Sequence, residues 1–386
     1  MVFDGAQIDR LLSSSVDGGT FSGVAATVVE RDGVLYQGVA GEAEANTMFR
    51  NASMTKALAT TGALQLVEQG RLDLDATVES ILPEFGELLV LDGFDGDTPR
   101  LRAPRTQATV RQLATHTAGC GYFFTNEDLF RYAELTGLPS PMTGIKASVM
   151  GPLAHDPGTV WEYGVNTDWL GLVVEAVSGQ TLGDYLAEHL FGPLQMTDTT
   201  FAPTGEQRAR LMSLKARAAD GSLVATDLDL TADPEWAAAG HGSYGTIGDY
   251  GRFIRAMLND GELDGERILA AQMVELAFSD QIEGIPMPEV MKSADPTLSN
   301  DVPALPVPQG WGLGFHLVHV DIPGMRRAGT GDWAGIFNCY YWIDRAAGVG
   351  GALMTQVLPF FDAAIIETLL AFEVAVYAQV GLAAAA

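Results

Sequence analysis

Residues 53–72 read SMTKALATTGALQLVEQGRL. Leu58, Leu64, Leu66 and Val67 recur at helical spacing and Gly70 stands just past them, so the stretch predicts a helix over 53–69 with Gly70 as its C-terminal stop. A spacing of three on that helix places Ser53 and Lys56 on one face, about one turn apart. A serine hydroxyl is a weak nucleophile until a base removes its proton. A lysine held beside it serves when burial or a neighbouring cation makes its amine available. Ser53 also falls near the helix N-terminus, where the dipole favours developing negative charge. Because a serine at a helix start is more often only an N-cap, the pair needs supporting motifs elsewhere in the chain.

Outward from this helix, residues 23–42 hold two apolar runs, VAATVVE and VLYQGVAG, around Asp32-Gly33, which predicts a β-hairpin with a type I′ turn. A short helix is expected over 8–15. Residues 72–240 are interrupted by prolines and show helical patterns at 110–116, 127–135 and 166–177, with no strand series expected. A helix follows at 247–258, then strand-like runs at 312–320, 336–343 and 348–357, and a closing helix at 363–380. The expected fold class is α/β (α+β). A mainly antiparallel sheet comes from residues 1–71 and 241–386 and is flanked by helices, with a mostly helical region over 72–240. The only low-complexity tract is Ala383 to Ala386.

The chain has 386 residues, with 22 Lys plus Arg against 49 Asp plus Glu and a formal charge of −27. So anionic a surface repels phosphate backbones and anionic lipid, so neither nucleic acid nor membrane is an expected partner. Cys120 and Cys339 form no paired motif, which points to neither a disulfide framework nor a zinc site. The six histidines include no HExxH, so no metal is expected, and no cofactor. Gly329-Thr330-Gly331 lacks the spacing and the following helix of a dinucleotide loop. The first residues show no basic start and apolar run, and the apolar stretch 358–386 is broken by Asp362, Glu367 and Glu373. A cytoplasmic protein is therefore expected, its oligomeric state left open.

The supporting motifs occur as an ordered set. They are MFRNASMTKALATTGALQLVEQGRLDLDATVESILPEF, TVRQLATHTAGCGY, WEYGVNTDWLGLVVEAVSGQTL, AAAGHGSYGTIGDYGRF and YYWIDRAAGVGGALMTQ. Together they resemble the serine β-lactamase-related superfamily, nearest its class C β-lactamase and family VIII carboxylesterase branch. The resemblance implies a β-lactamase/transpeptidase-like fold, Ser53 as acylated nucleophile, Lys56 as its proton-accepting partner and Tyr163 as the third catalytic residue. A phenol beside an ammonium can be shifted toward neutrality, so Lys56 and Tyr163 are treated as a coupled pair with the base left open.

Departures from the β-lactamase pattern bear on substrate. Tyr-x-Asn is replaced by Tyr163-Gly164-Val165-Asn166, and Lys-Thr-Gly is missing because the four lysines (56, 146, 215 and 292) all lie upstream of its expected position. Of the two registers there, Gly329-Thr330-Gly331 and Trp333-Ala334-Gly335, the second resembles the Trp-Gly-Gly of family VIII esterases, placed at the start of the strand expected over 336–343. The N–H of Ile336 would then join that of Ser53 as an oxyanion hole. Tyr122, His241 and Tyr244 are further candidates for substrate contact. The expected activity is hydrolysis of small, uncharged carboxylic esters through an acyl-enzyme. The alternatives are an acyltransferase using the same intermediate, a β-lactamase or D-amino-acid peptidase, and a non-catalytic sensor. No G-x-S-x-G is present, which argues against an α/β-hydrolase.

Overall fold

The structure, a computed structural model, describes residues 3–380; the alanine tract at 383–386 lies outside them. At its centre is a seven-stranded sheet in which every pairing is antiparallel. The strands are β1 (Gly23–Glu30), β2 (Val34–Gly41), β3 (Gln309–Trp311), β4 (His316–Val318), β5 (Gly331–Gly335), β6 (Cys339–Asp344) and β7 (Val349–Met354). They lie in the order β3-β4-β5-β6-β7-β1-β2, so strands from the two ends of the chain meet where β1 pairs with β7.

Both faces of this sheet are covered, which is why β1 reads as a nearly continuous apolar run. Alternate residues go to opposite sides. Val24, Ala26, Val28, Trp342 and Leu353 pack with α1 (Gly5–Asp17) and the closing helix α5 (Ala363–Gln379). Ala25, Val29, Tyr341 and Ala352 join the core containing α2 (Thr55–Glu68) and α4 (Ile247–Leu258). Between β2 and β3 the chain also forms α3 (Asn166–Ser178), which packs on α2. Helix α2 ends as its sequence predicts. Gly70 takes φ +68°, its N–H donates to Val67, and the Arg71 N–H donates to Leu66, which satisfies two carbonyls of the last turn.

Four local expectations are corrected. Neither Asp32 nor Gly33 is left-handed. Glu30 and Gly33 bond each other, leaving Arg31-Asp32 as the turn, and a register shift opposite Val28/Val29 supplies the extra twist a type I′ turn would have given. Residues 72–240 do contain strands, a hairpin of Val90–Asp95 with Thr98–Arg102 and the short pair Lys215–Arg217 and Leu223–Ala225. Short and partly exposed, they give no apolar alternation to read. The run 312–320 is broken where Gly314 turns at φ +85°. The run 336–343 is likewise split, because Ile336, Phe337 and Asn338, with Asn338 at φ +58°, turn the chain from β5 into β6.

Candidate active site

The first turn before α2 is held from three directions. Asn51 donates its backbone N–H to Ser243 O and its side-chain amide to Ser243 Oγ at 3.0 Å, while Thr55 Oγ1 lies 2.8 Å from the same hydroxyl. Tyr250 on α4 donates its hydroxyl to Met54 O at 3.0 Å. From the sheet side, Gly335 at the end of β5 approaches so closely that a Cβ there would stand 2.5 Å from Asn51 O. Ala52 is consequently held at φ +45°, a left-handed conformation costing a β-carbon-bearing residue on the order of 1 kcal/mol. Ser53 follows it in a 3-10 turn that runs directly into α2.

Lys56 is buried, and the three N–H donors of its ammonium match three acceptors: Ser53 Oγ at 3.2 Å, Tyr122 OH at 3.0 Å and Gly240 O at 2.7 Å. The Ser53–Lys56 pairing expected from the spacing is therefore present as a direct contact. Tyr163 also reaches this centre, its ring 4.8 Å from Lys56 Nζ, but its hydroxyl accepts from Trp333 Nε1 at 3.1 Å. The phenol bonded to Lys56 is that of Tyr122, expected only as a substrate contact. Burial and the Asp168 carboxylate push the Tyr122 pKa well above the usual phenol value, which keeps its hydroxyl protonated.

Trp333 and Ala334 separate by strand alternation. Trp333 pairs across from Tyr341 and faces the site, its ring tilted against Tyr163 at 5.0 Å and edge-on to Trp311 at 4.7 Å. Ala334 pairs with Tyr340 and packs into the opposite core under α1 and α5, so its side chain does not reach the Ser53 cavity as expected. Replacing Trp333 by Phe deletes the donor to Tyr163 while keeping the packing. The expected result is a kcat about tenfold lower, corresponding to ~1.4 kcal/mol, at an unchanged melting temperature; an unchanged kcat would refute this role for the indole.

Beside Ser53 opens a cavity of about 420 Å³, counting its mouth, lined by Phe123, Phe124, Met142, Leu230, Leu298 and Ile336 together with Ala52, Tyr122, Pro141 and His241. Leu230 is carried there by a loop whose Asp229 pairs with buried Arg50. His241 places its Nε2 3.2 Å from Pro141 O and its Nδ1 3.8 Å from Asp168 Oδ1. Burial lowers its pKa, so its ring is neutral at pH 7. Tyr244 falls outside this cavity and lines a neighbouring one with Phe201 and Trp236. Asn166, displaced by one from the β-lactamase spacing, turns away from the cavity and ties the carbonyls of Cys120 and Glu162 together. His116, at φ +57°, packs its ring 4.9 Å from Tyr163; burial, and then Lys56, hold it well below the ordinary histidine pKa.

Two participants had no signal in the spacing. Ser243 clamps the start of α2, and Asp168 lies fully buried behind Lys56, with Oδ1 accepting from the Gly240 N–H at 2.9 Å. Among the described residues there is no group of three or more His, Cys, Asp or Glu placed to hold a metal ion. No helix among them is long and apolar enough to cross a membrane.

A serine hydrogen-bonded by a buried lysine, on the 3-10 turn that leads into a helix between an antiparallel sheet and a helical layer, defines the class, and sequence comparison agrees with it. The family model Beta-lactamase matches residues 8–375, and the chain belongs to that family. Monacolin J acid methylbutanoyltransferase of Aspergillus terreus is 34% identical over 87% of this chain and 83% of its own length. Lovastatin esterase of Penicillium rubens is 30% identical over 91% and 93%. The unliganded structure of simvastatin synthase from Aspergillus terreus superposes with a TM-score of 0.83 at 29% identity, covering 97% of this chain and 98% of that one.

Proposed function

We propose that the protein is a serine acyltransferase that forms an acyl-enzyme on Ser53 and passes the acyl group to an alcohol, with hydrolysis as its side reaction. The observation that carries this reading is the contact of Ser53 Oγ with buried Lys56, at 3.2 Å, beside an apolar cavity. Ser53 attacks the carbonyl carbon of an ester or thioester, and its proton passes to the deprotonated member of the Lys56–Tyr163 pair, a neutral amine or a phenolate. The N–H groups of Ser53 and Ile336 receive the oxyanion, and the leaving alcohol or thiol departs protonated. An acceptor alcohol then repeats the sequence in reverse. The preference for simple ester hydrolysis expected from the sequence gives way to transfer, because acyl transfer is the activity for which the transferase relative is named, while the esterase relative keeps hydrolysis as the second reading.

The test is partition. The enzyme is given p-nitrophenyl butyrate with rising concentrations of an apolar primary alcohol. The expected result is that butyrate ester replaces free butyrate while nitrophenol release holds or rises. Free butyrate as the only acyl product at every alcohol concentration would make the enzyme an esterase.

Charge adds an expectation for the donor. With −27 on the chain and no lysine in the Trp333-Ala334-Gly335 segment, nothing on that strand grips a carboxylate. Turnover of p-nitrophenyl hemisuccinate is expected about tenfold or more below that of the butyrate, with the gap narrowing as salt rises. Nitrocefin is expected to react more slowly than the butyrate ester. A hemisuccinate rate equal to the butyrate rate at low salt would contradict this.

A further inference from the structure

Asp168 sits in the first turn of α3, fully buried, and Oδ2 of its carboxylate has no hydrogen-bond partner. An ionised carboxylate in such a place is costly unless a cation compensates it. The ionisable groups facing it are Lys56 from α2, Cys120 and Tyr122 from the loop preceding the 3-10 turn at Phe123–Thr125, and His241 from the glycine-rich turn. His241 Nδ1 stands 3.8 Å from Oδ1, and its pKa is lowered by burial, so it is no cation at pH 7. Burial, with Asp168 adding to it, pushes the Cys120 thiol pKa up and keeps it neutral. Lys56 is left as the compensating charge.

The connection between the two runs through one peptide. Asp168 Oδ1 accepts from the Gly240 N–H at 2.9 Å, and Lys56 donates to Gly240 O at 2.7 Å. Residue 240 must be glycine for this arrangement, because a Cβ there would lie 2.2 Å from Asp168 Oδ2. We propose that Asp168 is a positioning residue of the Ser53 centre, its buried carboxylate acting through the Gly240 peptide to hold the Lys56 ammonium between Ser53 and Tyr122. The carboxylate orients the Gly240 carbonyl and supplies the counter-charge that lets a buried ammonium sit there. This rests on the reading of Ser53 as the acylated nucleophile.

The test is Asp168→Asn, which keeps the shape and removes the charge. Butyrate ester turnover and the rate at which a fluorophosphonate labels Ser53 are both followed from pH 5 to 10. The expected result is a kcat about ten- to a hundredfold lower at little changed KM, with the pH midpoint of Ser53 labelling moved about one unit toward acid, because without its counter-charge the ammonium discharges more readily. A merely structural Asp168 would lower the melting temperature and leave that midpoint where it is, which would overturn the proposal. Gly240→Ala is the second variant, since it displaces the carboxylate without removing it. It is expected to move the midpoint the same way by less, and no movement in this variant also counts against the role. Failure of the wild-type protein to label on Ser53 would instead overturn the acyl-enzyme reading itself.

Discussion

Ser53→Ala is expected to lower acyl transfer and ester hydrolysis together by about 10⁴-fold or more, and to abolish fluorophosphonate labelling, while the folded protein keeps its melting temperature within a few degrees. The geometry isolates the hydroxyl from the fold. Ser53 Oγ accepts from Lys56, but the turn around it is held by Asn51, Thr55 and Ser243 and by Tyr250 on Met54 O. Removing one oxygen therefore leaves the helix start clamped and Lys56 with two of its three acceptors, Tyr122 OH and Gly240 O. What is lost is the atom that forms the acyl bond, so the loss falls on kcat for every ester tested. An Ser53→Ala protein that retains full activity toward p-nitrophenyl butyrate would move the nucleophile elsewhere in the chain.

The second large effect is on stability. Glu373 in α5 is fully buried and holds Arg326 through two bonds, 2.7 and 2.6 Å, while Arg326 also pairs with Asp332, and Asp332 Oδ1 accepts from His316 Nδ1 at 2.9 Å. This chain of charges joins the closing helix to β5 and β4, directly beside Trp333. Burial opposes the Arg326 charge, yet Glu373 and Asp332 outweigh it and its pKa is raised. Asp332 is likewise desolvated, but His316 and Arg326 bring its pKa below the ordinary carboxylate value.

Glu373→Ala leaves the guanidinium with one partner in a dry interior. The expected cost is about 3–5 kcal/mol, a large share of the 5–15 kcal/mol typical of a folded domain, read as a fall in the urea midpoint at constant slope. Glu373→Gln, which keeps one acceptor, is expected to fall between the two proteins. A Glu373→Ala midpoint within ~1 kcal/mol of wild type would show the pair to be dispensable. The sign with pH follows from Asp332. Its depressed pKa stabilises the fold above the unfolded carboxylate value, and that contribution is lost as pH falls through the folded value, so acid unfolding of wild type should begin in that range.

Local spacing was enough for part of this protein. The helix after Ser53, the Ser53–Lys56 pair on one of its faces, the stop at Gly70 and the helix over 247–258 all depend on neighbours a few residues apart, and the structure reproduces each. The antiparallel sheet drawn from both chain ends was legible for the same reason, because doubly covered strands read as apolar runs. Strand ends were less legible. Trp333 and Ala334, expected at the start of a strand over 336–343, lie inside the strand that ends at Gly335, where alternation sends them to opposite faces.

Tertiary structure alone decided the rest of the site. Tyr122 and Tyr163 both lie close to Lys56, and only the packing of Trp333 from β5 shows that one phenol bonds the lysine while the other bonds the indole. Asp168 reads in sequence as an ordinary first-turn acid, and Glu373 as a charge that interrupts an apolar helix. Their partners, Gly240 and Arg326, stand 72 and 47 residues away. Sequence periodicity carries the short-range geometry of a helix or strand, but a buried charge is defined by what the folded chain brings against it from afar. That is why the Ser53–Lys56 pair could be read from letters, and the buried charges around it could not.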